Sequence, residues 1–423
     1  MDKSKLEYLQ KRTSEIFKSN RYEDGDILFH QPSPGTYGSF FGWDSGWSAI
    51  STSNTDPEMA LRELQTIFNF QFDSGQISHE ILLGTENSSF GRKLFSNLFE
   101  GQFDEKGRSV FIDPPSFILA AEVLFNRTKD KRVLELLPAM ERCFNYLVET
   151  RDLFGDGLAS IIHPWESGCD FAPYFDEPMN VNVNKRFWGI KYLRIYFKMI
   201  RELREIDWNL DIIKNERKFM MEDVGINGIA AGGAVSISNL YKKAGNGEKA
   251  EEYLSKAKKL VSAIEKHLWV EEKGFFYPRM DIDNPRNVLR STAIGISPLL
   301  SGLVDPDKAN NVLENYLLSE DHFNGPYVVP FNSRSELEKR IGFKHMPMLW
   351  RGPCIWININ WIAAKAADKY DRSDISKYIT KKTIELLEES DFREYYHPEK
   401  GIGGGAKNFT WATLVLDMIH DYF

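Results

Sequence analysis

Helical periodicity is the feature that most constrains how this 423-residue chain can fold. Apolar residues recur at the spacing of one helix face through a dozen segments, and residues 114–129 show the pattern clearly, with two prolines where the helix begins. The predicted helices span residues 4–19, 56–72, 114–129, 131–149, 183–203, 232–243, 248–268, 290–300, 309–318, 354–369, 375–389 and 409–420. Short strands are expected only at residues 274–279 and 327–331, so the sequence predicts an all-α protein.

The predicted helices follow one another in pairs. Links within pairs are often short, as at residues 128–130 and 244–247, which is typical of antiparallel helix hairpins. Longer links, rich in Gly, Pro and Trp, join one pair to the next. Pairs repeated around a closed ring would gather these long loops at one end, where function concentrates. Length alone suggests two to three domains, but the helix pairs and the lack of a linker-like run favour one domain over residues 1–423.

Composition and charge exclude several classes of partner. Hydrophobic residues make up 42% of the chain and aromatic residues 13%, enough for a large core. A formal charge of -8 argues against nucleic acid and against an anionic membrane surface as partners. Cys143, Cys169 and Cys354 are too widely spaced for a disulfide framework or a metal-binding pair. Neither a signal-peptide pattern nor a membrane-length apolar run is visible, so we expect a soluble, cytoplasmic protein.

Four loop segments, one of which runs into the helix predicted from residue 354, combine Trp or Tyr, a charged residue and Gly in close sequence. Aromatic faces stack on sugar rings, while carboxylates and Arg bind sugar hydroxyls, so this combination suits a carbohydrate. For any one segment, a core aromatic beside a helix cap is the simpler interpretation, and four together favour a binding site. The segments are residues 37–47, 163–173, 349–356 and 392–405.

Carboxylates within these segments suggest hydrolysis of a glycosidic bond, which needs one group to protonate the leaving oxygen and another to activate water or attack carbon. The candidates are Asp44, Glu166, Asp170 and Glu394. Structural roles stay open for each of them: Asp44 as a helix cap, Glu166 or Asp170 as a salt-bridge partner, and Glu394 as a solvated loop charge.

Two of the segments carry motifs of a known family. Residues 166–173 match Glu-Ser-Gly-x-Asp-x-Ser-Pro, and residues 392–403 match Phe-x-Glu-x-Tyr-x-Pro-x-Thr-Gly-x-Gly. Together with Trp43-Asp44 and residues 350–353, they resemble glycoside hydrolase family 63, most closely its mannosylglycerate and glucosylglycerate hydrolases, over residues 37–411. The resemblance implies an (α/α)6 barrel that hydrolyses an α-linked glycoside with inversion, using Asp170 as general acid and Glu394 as general base.

The resemblance and the composition of the segments together give an expected substrate-binding set. Departures from the family pattern at Phe171, Ala172, Lys400 and Asp113, which stands where Gln is expected, bear on sugar and aglycone preference. The expected substrate-binding residues are Tyr37, Phe41, Trp43, Asp44, Asp113, Trp165, Glu166, Gly168, Trp350, Arg351, Trp356, Tyr395 and Trp411.

The mechanism sets requirements for the two carboxyls. Asp170 must stay protonated near neutral pH, so burial or the nearby charge of Glu166 must raise its pKa above the usual ~3.9. Glu394 needs a polar setting that keeps it ionised. Inversion requires the carboxyl groups to lie roughly 6.5–9.5 Å apart.

Substrate choice rests on two further features. Residues 85–110, with several glycines and charges, suit either a mobile lid or an ordinary surface excursion. If the aglycone is glycerate, its carboxylate requires a cationic or N–H partner, for which Arg92, Lys93, Arg108 and Arg351 are the candidates.

Other chemistries have weaker support. The histidines, including His79, His163, His345 and His397, form no metal motif. Residues 225–233 suit a closely packed helix start better than a phosphate loop. No cofactor is therefore expected. An α-glucosidase acting on a disaccharide or oligosaccharide is the nearest alternative. A sugar epimerase, which would need a His proton shuttle, and a non-catalytic carbohydrate-binding protein are the alternatives from other classes.

Overall fold

The computed structural model describes residues 3–83, 101–338 and 349–423, and within them the chain is mostly helical. The α-helices, in chain order, are α1 Lys3–Asn20, α2 Gly42–Thr52, α3 Pro57–Asn69, α4 Ser116–Thr128, α5 Leu137–Asn145, α6 Trp188–Glu205, α7 Leu210–Asn215, α8 Val224–Lys243, α9 Gly247–His267, α10 Pro306–Val312, α11 Arg334–Glu338, α12 Ile357–Asp368, α13 Ser373–Ser390 and α14 Val415–Tyr422. Shorter 3-10 and π segments are Lys131–Leu136, Tyr146–Thr150, Pro164–Ser167, Pro173–Phe175, Ala293–Ser301, Leu313–Leu317, Leu349–Arg351 and Thr410–Leu414.

Short strands form five small antiparallel sheets. The strands are β1 Arg21–Asp24, β2 Ile27–His30, β3 Phe40–Phe41, β4 Glu80–Ile81, β5 Ser160–Ile161, β6 Met221–Glu222, β7 Trp269–Val270, β8 Phe275–Phe276, β9 Arg279–Met280, β10 Arg286–Asn287, β11 Arg393–Tyr396 and β12 Gly403–Lys407. Four sheets pair β1 with β2, β3 with β4, β7 with β8 and β11 with β12, and the fifth has the order β10-β9-β6-β5.

Six buried helical segments pack in a closed cycle. Helix α2 packs on α4, α4 on α8, α8 on Ala293–Ser301, that segment on α12, α12 on Thr410–Leu414, and the last segment returns to α2. Helices α3, α9 and α13 pack outside this cycle against α2, α8 and α12 respectively, each next in sequence to its partner. The pair predicted across residues 244–247 is therefore present as α8 and α9, whereas the helix after the link at residues 128–130 continues through Lys131–Leu136 into α5, which packs on α8. One large apolar core fills the spaces between these layers.

Local sequence explains why the outer helices were easy to predict. Helix α3 begins at Pro57, and the Asp56 side chain accepts the Met59 amide at 3.2 Å, which caps the helix. Its polar face points outward, so the apolar stripe is visible in the sequence.

Two of the inner helices differ from the prediction. Periodicity does not predict helix α2, and α8 begins at Val224 rather than at residue 232; both segments are buried nearly all round and show no amphipathic stripe. The close packing expected for residues 225–233 is confirmed, since a methyl group on Gly228 would overlap Ser297.

Among the β predictions, residues 274–279 are confirmed by β8 and the start of β9. The strand predicted at residues 327–331 is wrong: this stretch contributes only an isolated bridge from Pro330 to Ile355. The hairpin of β11 and β12, which carries Glu394, was not predicted. Its glycines and charged residues have low strand propensity.

Candidate active site

An aromatic cavity brings residues of all four sequence segments together. Its volume is about 110 Å³, well below the ~300–1,000 Å³ of sites for drug-sized ligands, so it suits a small substrate. Asp113, from the loop before α4, joins them at the wall. The predicted site residues that line the cavity are Tyr37, Phe41, Trp43, Asp44, Asp113, Trp165, Gly168, Asp170, Trp350, Trp356, Glu394 and Trp411.

Stacked and edge-on rings build the cavity wall. Trp350 and Trp356 lie parallel, with ring centroids 3.8 Å apart, and Trp411 meets Trp356 edge-on at 5.5 Å. Trp411 is also fixed by its indole N–H, which donates to the Glu394 carbonyl at 2.9 Å. Packed rings of this kind form a rigid apolar platform for the face of a sugar ring.

Asp170 lies just after the 3-10 helix Pro164–Ser167, which ends at Gly168 in the left-handed conformation. Asp170 lines the cavity and is half-buried, and desolvation by the surrounding protein raises its pKa to about 8. At neutral pH, Asp170 is therefore mostly protonated and able to donate a proton.

Glu166 does not line the cavity. It is fully buried and forms an ion pair with Arg151, and it accepts the amides of Ile162 at 2.7 Å and Ile112 at 3.0 Å. The predicted sugar contact is therefore replaced by a role in holding the loop. The expectation that Glu166 raises the pKa of Asp170 is also not met, since burial is the cause of that shift.

Glu394 lies on β11, not on a solvated loop. The register of β11 against β12 shifts between Arg393 and Tyr395, and a bulge of this kind redirects the side chain between them. The carboxylate accepts the Tyr37 hydroxyl at 2.9 Å and the Ala406 amide at 2.8 Å. Burial raises the pKa of Glu394, while these two hydrogen bonds lower it and favour the ionised form.

Gly405 makes the approach of Ala406 to Glu394 possible. Its φ is +64°, a left-handed conformation that favours glycine, and a methyl group here would overlap Oε2 of Glu394. The run of glycines at residues 403–405 therefore positions a carboxylate rather than a phosphate.

Asp44 and Asp113 are two further carboxyls of the cavity. Asp44 lies in the first turn of α2, and Asp113 accepts the Trp43 amide at the start of that helix at 2.7 Å. Desolvation raises the pKa of both groups well above their usual range. The predicted loop at Trp43 and Asp44 is thus a helix start, tied down by Asp113.

Several buried polar atoms at the cavity have no hydrogen-bond partner among the residues that the structure describes. They are Oδ1 of Asp44 and the indole nitrogens of Trp43 and Trp356. Buried polar groups are nearly always hydrogen-bonded, and sugar hydroxyls are suitable partners for both donors and acceptors.

Two other predicted substrate-binding residues lie outside the cavity. Arg351 forms an ion pair with Asp176, and its Nη1 lies 2.9 Å from that carboxylate. Tyr395 packs its ring on Trp356, with centroids 5.1 Å apart, but is not part of the lining. Its ring and the Glu394 side chain both lie against Gly405.

Of the four basic residues that could bind a glycerate carboxylate, two lie within the described residues and two do not. Arg108 bonds Asp104 at 2.6 Å and lies over the ring of Phe72, so both Arg108 and Arg351 have internal partners. Arg92 and Lys93, with most of the lid candidate at residues 85–110, lie outside the described residues.

Sequence reasoning missed three lining residues: Pro32, His79 and Phe409. The His79 ring lies parallel to Trp165 at 5.9 Å. None of the three belongs to a segment that combines aromatic and charged residues, so no local signal marked them. His163 is a structural residue, as expected: it accepts the Trp165 amide, and burial lowers its pKa to about 3.

Metal-ligand clusters and membrane-length helices are both absent from the described residues. These residues contain no group of three or more His, Cys, Asp or Glu side chains able to hold a metal ion. Within the same ranges, no helix is long and apolar enough to cross a membrane.

A buried acid, a hydrogen-bonded carboxylate and an aromatic platform around one small cavity are features of a carbohydrate-cleaving enzyme. Comparison with known proteins identifies the family. Residues 37–412 match the mannosylglycerate hydrolase MGH1-like glycoside hydrolase domain. The chain belongs to this family and is a glycosidase of glycoside hydrolase family 63.

Relatives match along nearly the whole chain. A mannosylglycerate hydrolase of Thermus thermophilus is 25% identical, with 92% of this chain and 95% of the relative covered. The glucosylglycerate hydrolase of Mycolicibacterium hassiacum is 22% identical over 91% of this chain and 93% of its own. A solved family 63 mannosylglycerate hydrolase, also from Thermus thermophilus and in complex with Tris and D-glycerate, has a TM-score of 0.81 at 23% identity, with 98% of this chain and 100% of that chain covered. The chain therefore shares the fold of that enzyme.

Proposed function

We propose that this protein hydrolyses a small α-linked glycoside, such as mannosylglycerate or glucosylglycerate, with inversion of the anomeric centre. The observation that carries the proposal is that Asp170 and Glu394 line one cavity and differ in their hydrogen bonds. The acid is desolvated and has a pKa of about 8, and the base accepts two hydrogen bonds that stabilise its charge.

The reaction follows from these environments. Asp170 donates its proton to the glycosidic oxygen as the bond from that oxygen to the anomeric carbon breaks. Glu394 takes a proton from a water molecule whose oxygen attacks the opposite face of the sugar ring. This geometry requires the two carboxyl groups to lie roughly 6.5–9.5 Å apart, with room for the water between them.

The first sugar subsite is proposed at Trp43, Asp44 and Trp356. Their buried polar atoms lack partners among the described residues, and all three line a cavity that suits a single sugar ring. An α-glucoside disaccharide or oligosaccharide is the alternative substrate, and the relatives' names, mannosylglycerate hydrolase and glucosylglycerate hydrolase, favour a glycoside of glycerate.

The proposal also covers the fold, the domain organisation and the location of the protein. The closed cycle of six inner helical segments, with outer helices packed behind it, supports an (α/α)6 barrel. A single domain over residues 1–423, a location in the cytoplasm and the absence of nucleic-acid and membrane partners remain predictions.

A substrate panel followed by NMR tests the proposal. Mannosylglycerate, glucosylglycerate, trehalose, kojibiose, nigerose and aryl α-glycosides are incubated with the protein, and the first-formed anomer is read directly. We expect cleavage of a glycerate glycoside with β-anomer formed first. An α-anomer formed first would contradict inversion, and cleavage of disaccharides alone would favour the alternative substrate.

Substitution of the two carboxyls tests their roles. Asp170→Ala and Glu394→Ala should each lower turnover of the cleaved glycoside by about 10²-fold to 10⁴-fold. Thermal unfolding followed by circular dichroism provides the control for folding. An active double variant would overturn the assignment.

A further inference from the structure

The residue after the proposed acid has an unusual backbone. Phe171 has a φ of +64°, in the left-handed region that a bulky side chain rarely adopts. Such conformations persist only where the surrounding structure holds them, and they concentrate at functional sites. The conformation turns the chain sharply, directly beside the Asp170 carboxyl.

Two tyrosines of α6 hold the ring of Phe171. Its centroid lies 4.8 Å from that of Tyr192 and 5.2 Å from that of Tyr196, with interplanar angles of 25° and 13°. Both tyrosines are almost fully buried. The stack is therefore well placed to offset the cost of the left-handed backbone.

Further contacts fix the tyrosines themselves. The Arg351 guanidinium, held by Asp176, lies 5.2 Å from the Tyr192 ring centroid. Tyr196 meets the His163 ring at 4.4 Å. The tyrosine pair under Phe171, Tyr192 and Tyr196, is thus in contact with residues of two 3-10 segments or their edges, Arg351 on one side and His163 on the other.

The same tyrosine pair lies beside the chain that carries the acid. Phe171 follows Asp170 directly in the chain, so the two tyrosine rings that stack on Phe171 support the backbone from which the acid projects. The Tyr196 hydroxyl is buried and has no hydrogen-bond partner within the described ranges. Aromatic rings therefore cover the chain next to Asp170 on this side.

We infer that Phe171 is a positioning residue for Asp170: clamped on Tyr192 and Tyr196, it fixes the direction of the acid carboxyl and keeps water away from it. The inference rests on the proposed function of Asp170 as general acid. The inference also gives Arg351 a role, which is to hold Tyr192 in place rather than to bind sugar.

Other groups also face Asp170 and influence its titration. Asp44, Asp113, Glu394 and Tyr37 share the cavity with it, and Cys169 precedes it in the chain. All of these groups are acidic, and none of them is altered by a change at Phe171. Differences between Phe171 variants therefore report on solvation and direction of the acid.

Three substitutions separate the ring from the backbone. Phe171→Asn and Phe171→Gly tolerate the left-handed conformation but remove the ring, and Phe171→Tyr keeps the ring. Phe187→Asn is the matched control, because Phe187 also has a positive φ of 63° but is 64% exposed at the start of α6.

Kinetics with two leaving groups form the first readout. For mannosylglycerate, or glucosylglycerate if that is the glycoside cleaved, kcat should fall by about ten-fold to a hundred-fold in Phe171→Asn and Phe171→Gly, with KM little changed. The corresponding α-glycosyl fluoride, whose fluoride leaves without protonation, should be cleaved at close to the wild-type rate. Phe171→Tyr and Phe187→Asn should match the wild type with both substrates.

Titration of Asp170 by carbon-13 NMR of labelled carboxyls is the second readout and needs no substrate. The pKa should fall from about 8 in the wild-type protein toward the ordinary value in Phe171→Asn and stay in place in Phe171→Tyr. An unchanged pKa and equal loss on both substrates would overturn the inference. If instead Asp170→Asn retained full activity on the glycerate glycoside, the proposed function would fail, whatever the Phe171 series showed.

Discussion

At the scale of single residues, two carboxyl groups of one cavity differ in their hydrogen bonds. Glu394 accepts two hydrogen bonds, whereas the pKa of Asp170 is set by desolvation. Burial raises the pKa of both groups, but only Glu394 has hydrogen bonds that lower its pKa, so Asp170 is better suited to hold a proton and Glu394 to accept one. The difference leads to two predictions.

The first prediction concerns stability and pH. Asp170 has a pKa of about 8 in the folded protein and ~3.9 when unfolded, so its contribution to stability is full below ~3.9 and is lost as pH rises to about 8. Asp170→Asn stays neutral throughout. Its Tm should therefore match that of the wild type near pH 4 and exceed it by several degrees at pH 8.

Thermal unfolding between pH 4 and pH 8 measures this difference. Glu7→Gln, on the exposed face of α1, is the control and should show no such trend. A Tm difference that does not grow with pH would contradict the burial of Asp170 as a neutral acid.

The second prediction concerns Tyr37, whose hydroxyl bonds Glu394 and lowers its pKa. Tyr37→Phe should raise the pKa of Glu394, because its ionised form loses a hydrogen bond. The acidic limb of the kcat/KM profile should therefore move to higher pH, with kcat lower by roughly ten-fold. The basic limb, set by Asp170, serves as the internal control, and a shift of that limb alone would refute the assignment.

At the scale of elements, the hairpin of β11 and β12 places the base. The bulge turns Glu394 toward the cavity, and the left-handed Gly405 lets the Ala406 amide reach its carboxylate. Backbone geometry, rather than a side-chain partner alone, therefore determines where the carboxylate lies.

The third prediction tests this hairpin. Gly405→Ala should lower kcat by about a hundred-fold or more, because the added methyl group displaces Glu394. Gly25→Ala is the matched control: Gly25 has a φ of +58°, but no atom lies within 4 Å of the added methyl group. Both variants should lose about 1 kcal/mol of unfolding free energy from the backbone, and only Gly405→Ala should lose activity. Equal activity of the two would contradict the role of the hairpin.

At the scale of the whole molecule, one buried carboxylate joins three helices from distant parts of the chain. Asp417 of α14 pairs with Arg127 of α4, and it accepts the Trp361 indole at 2.7 Å and Lys365 at 2.9 Å, both from α12. Asp417 is fully buried. It therefore ties together helices that are far apart in the chain.

The fourth prediction follows from this network. Asp417→Asn leaves Arg127 and Lys365 without their buried counter-charge and should lower the free energy of unfolding by about 3 kcal/mol, with kcat unchanged. Asp421→Asn, whose carboxylate is 34% exposed, should cost about 1 kcal/mol or less. Urea unfolding measures both, and equal losses would show that Asp417 has no special role.

Much of the site was predictable from sequence because its residues lie in short segments of unusual composition. Asp170 and Glu394 were selected by motif, and the structure places both at one cavity with most of the predicted aromatics. Glu166 and Arg351 were selected by the same composition, yet both are used in buried ion pairs with Arg151 and Asp176. Sequence cannot separate a charged group that meets substrate from one that holds a loop, since both need the same residue types.

The sequence by itself determined the outer helices and most of the inner ones, and it marked Asp170 and Glu394 as candidates, because apolar periodicity and local motifs are properties of neighbouring residues. Only the tertiary structure decided that Gly42–Thr52 is a helix, that Glu394 lies on a strand, and that His79 and Phe409 join the cavity. Helix α2 is buried on every side, so no amphipathic stripe marks it. Both the lining of a cavity and the desolvation of Asp170 depend on contacts between segments that are distant in the chain.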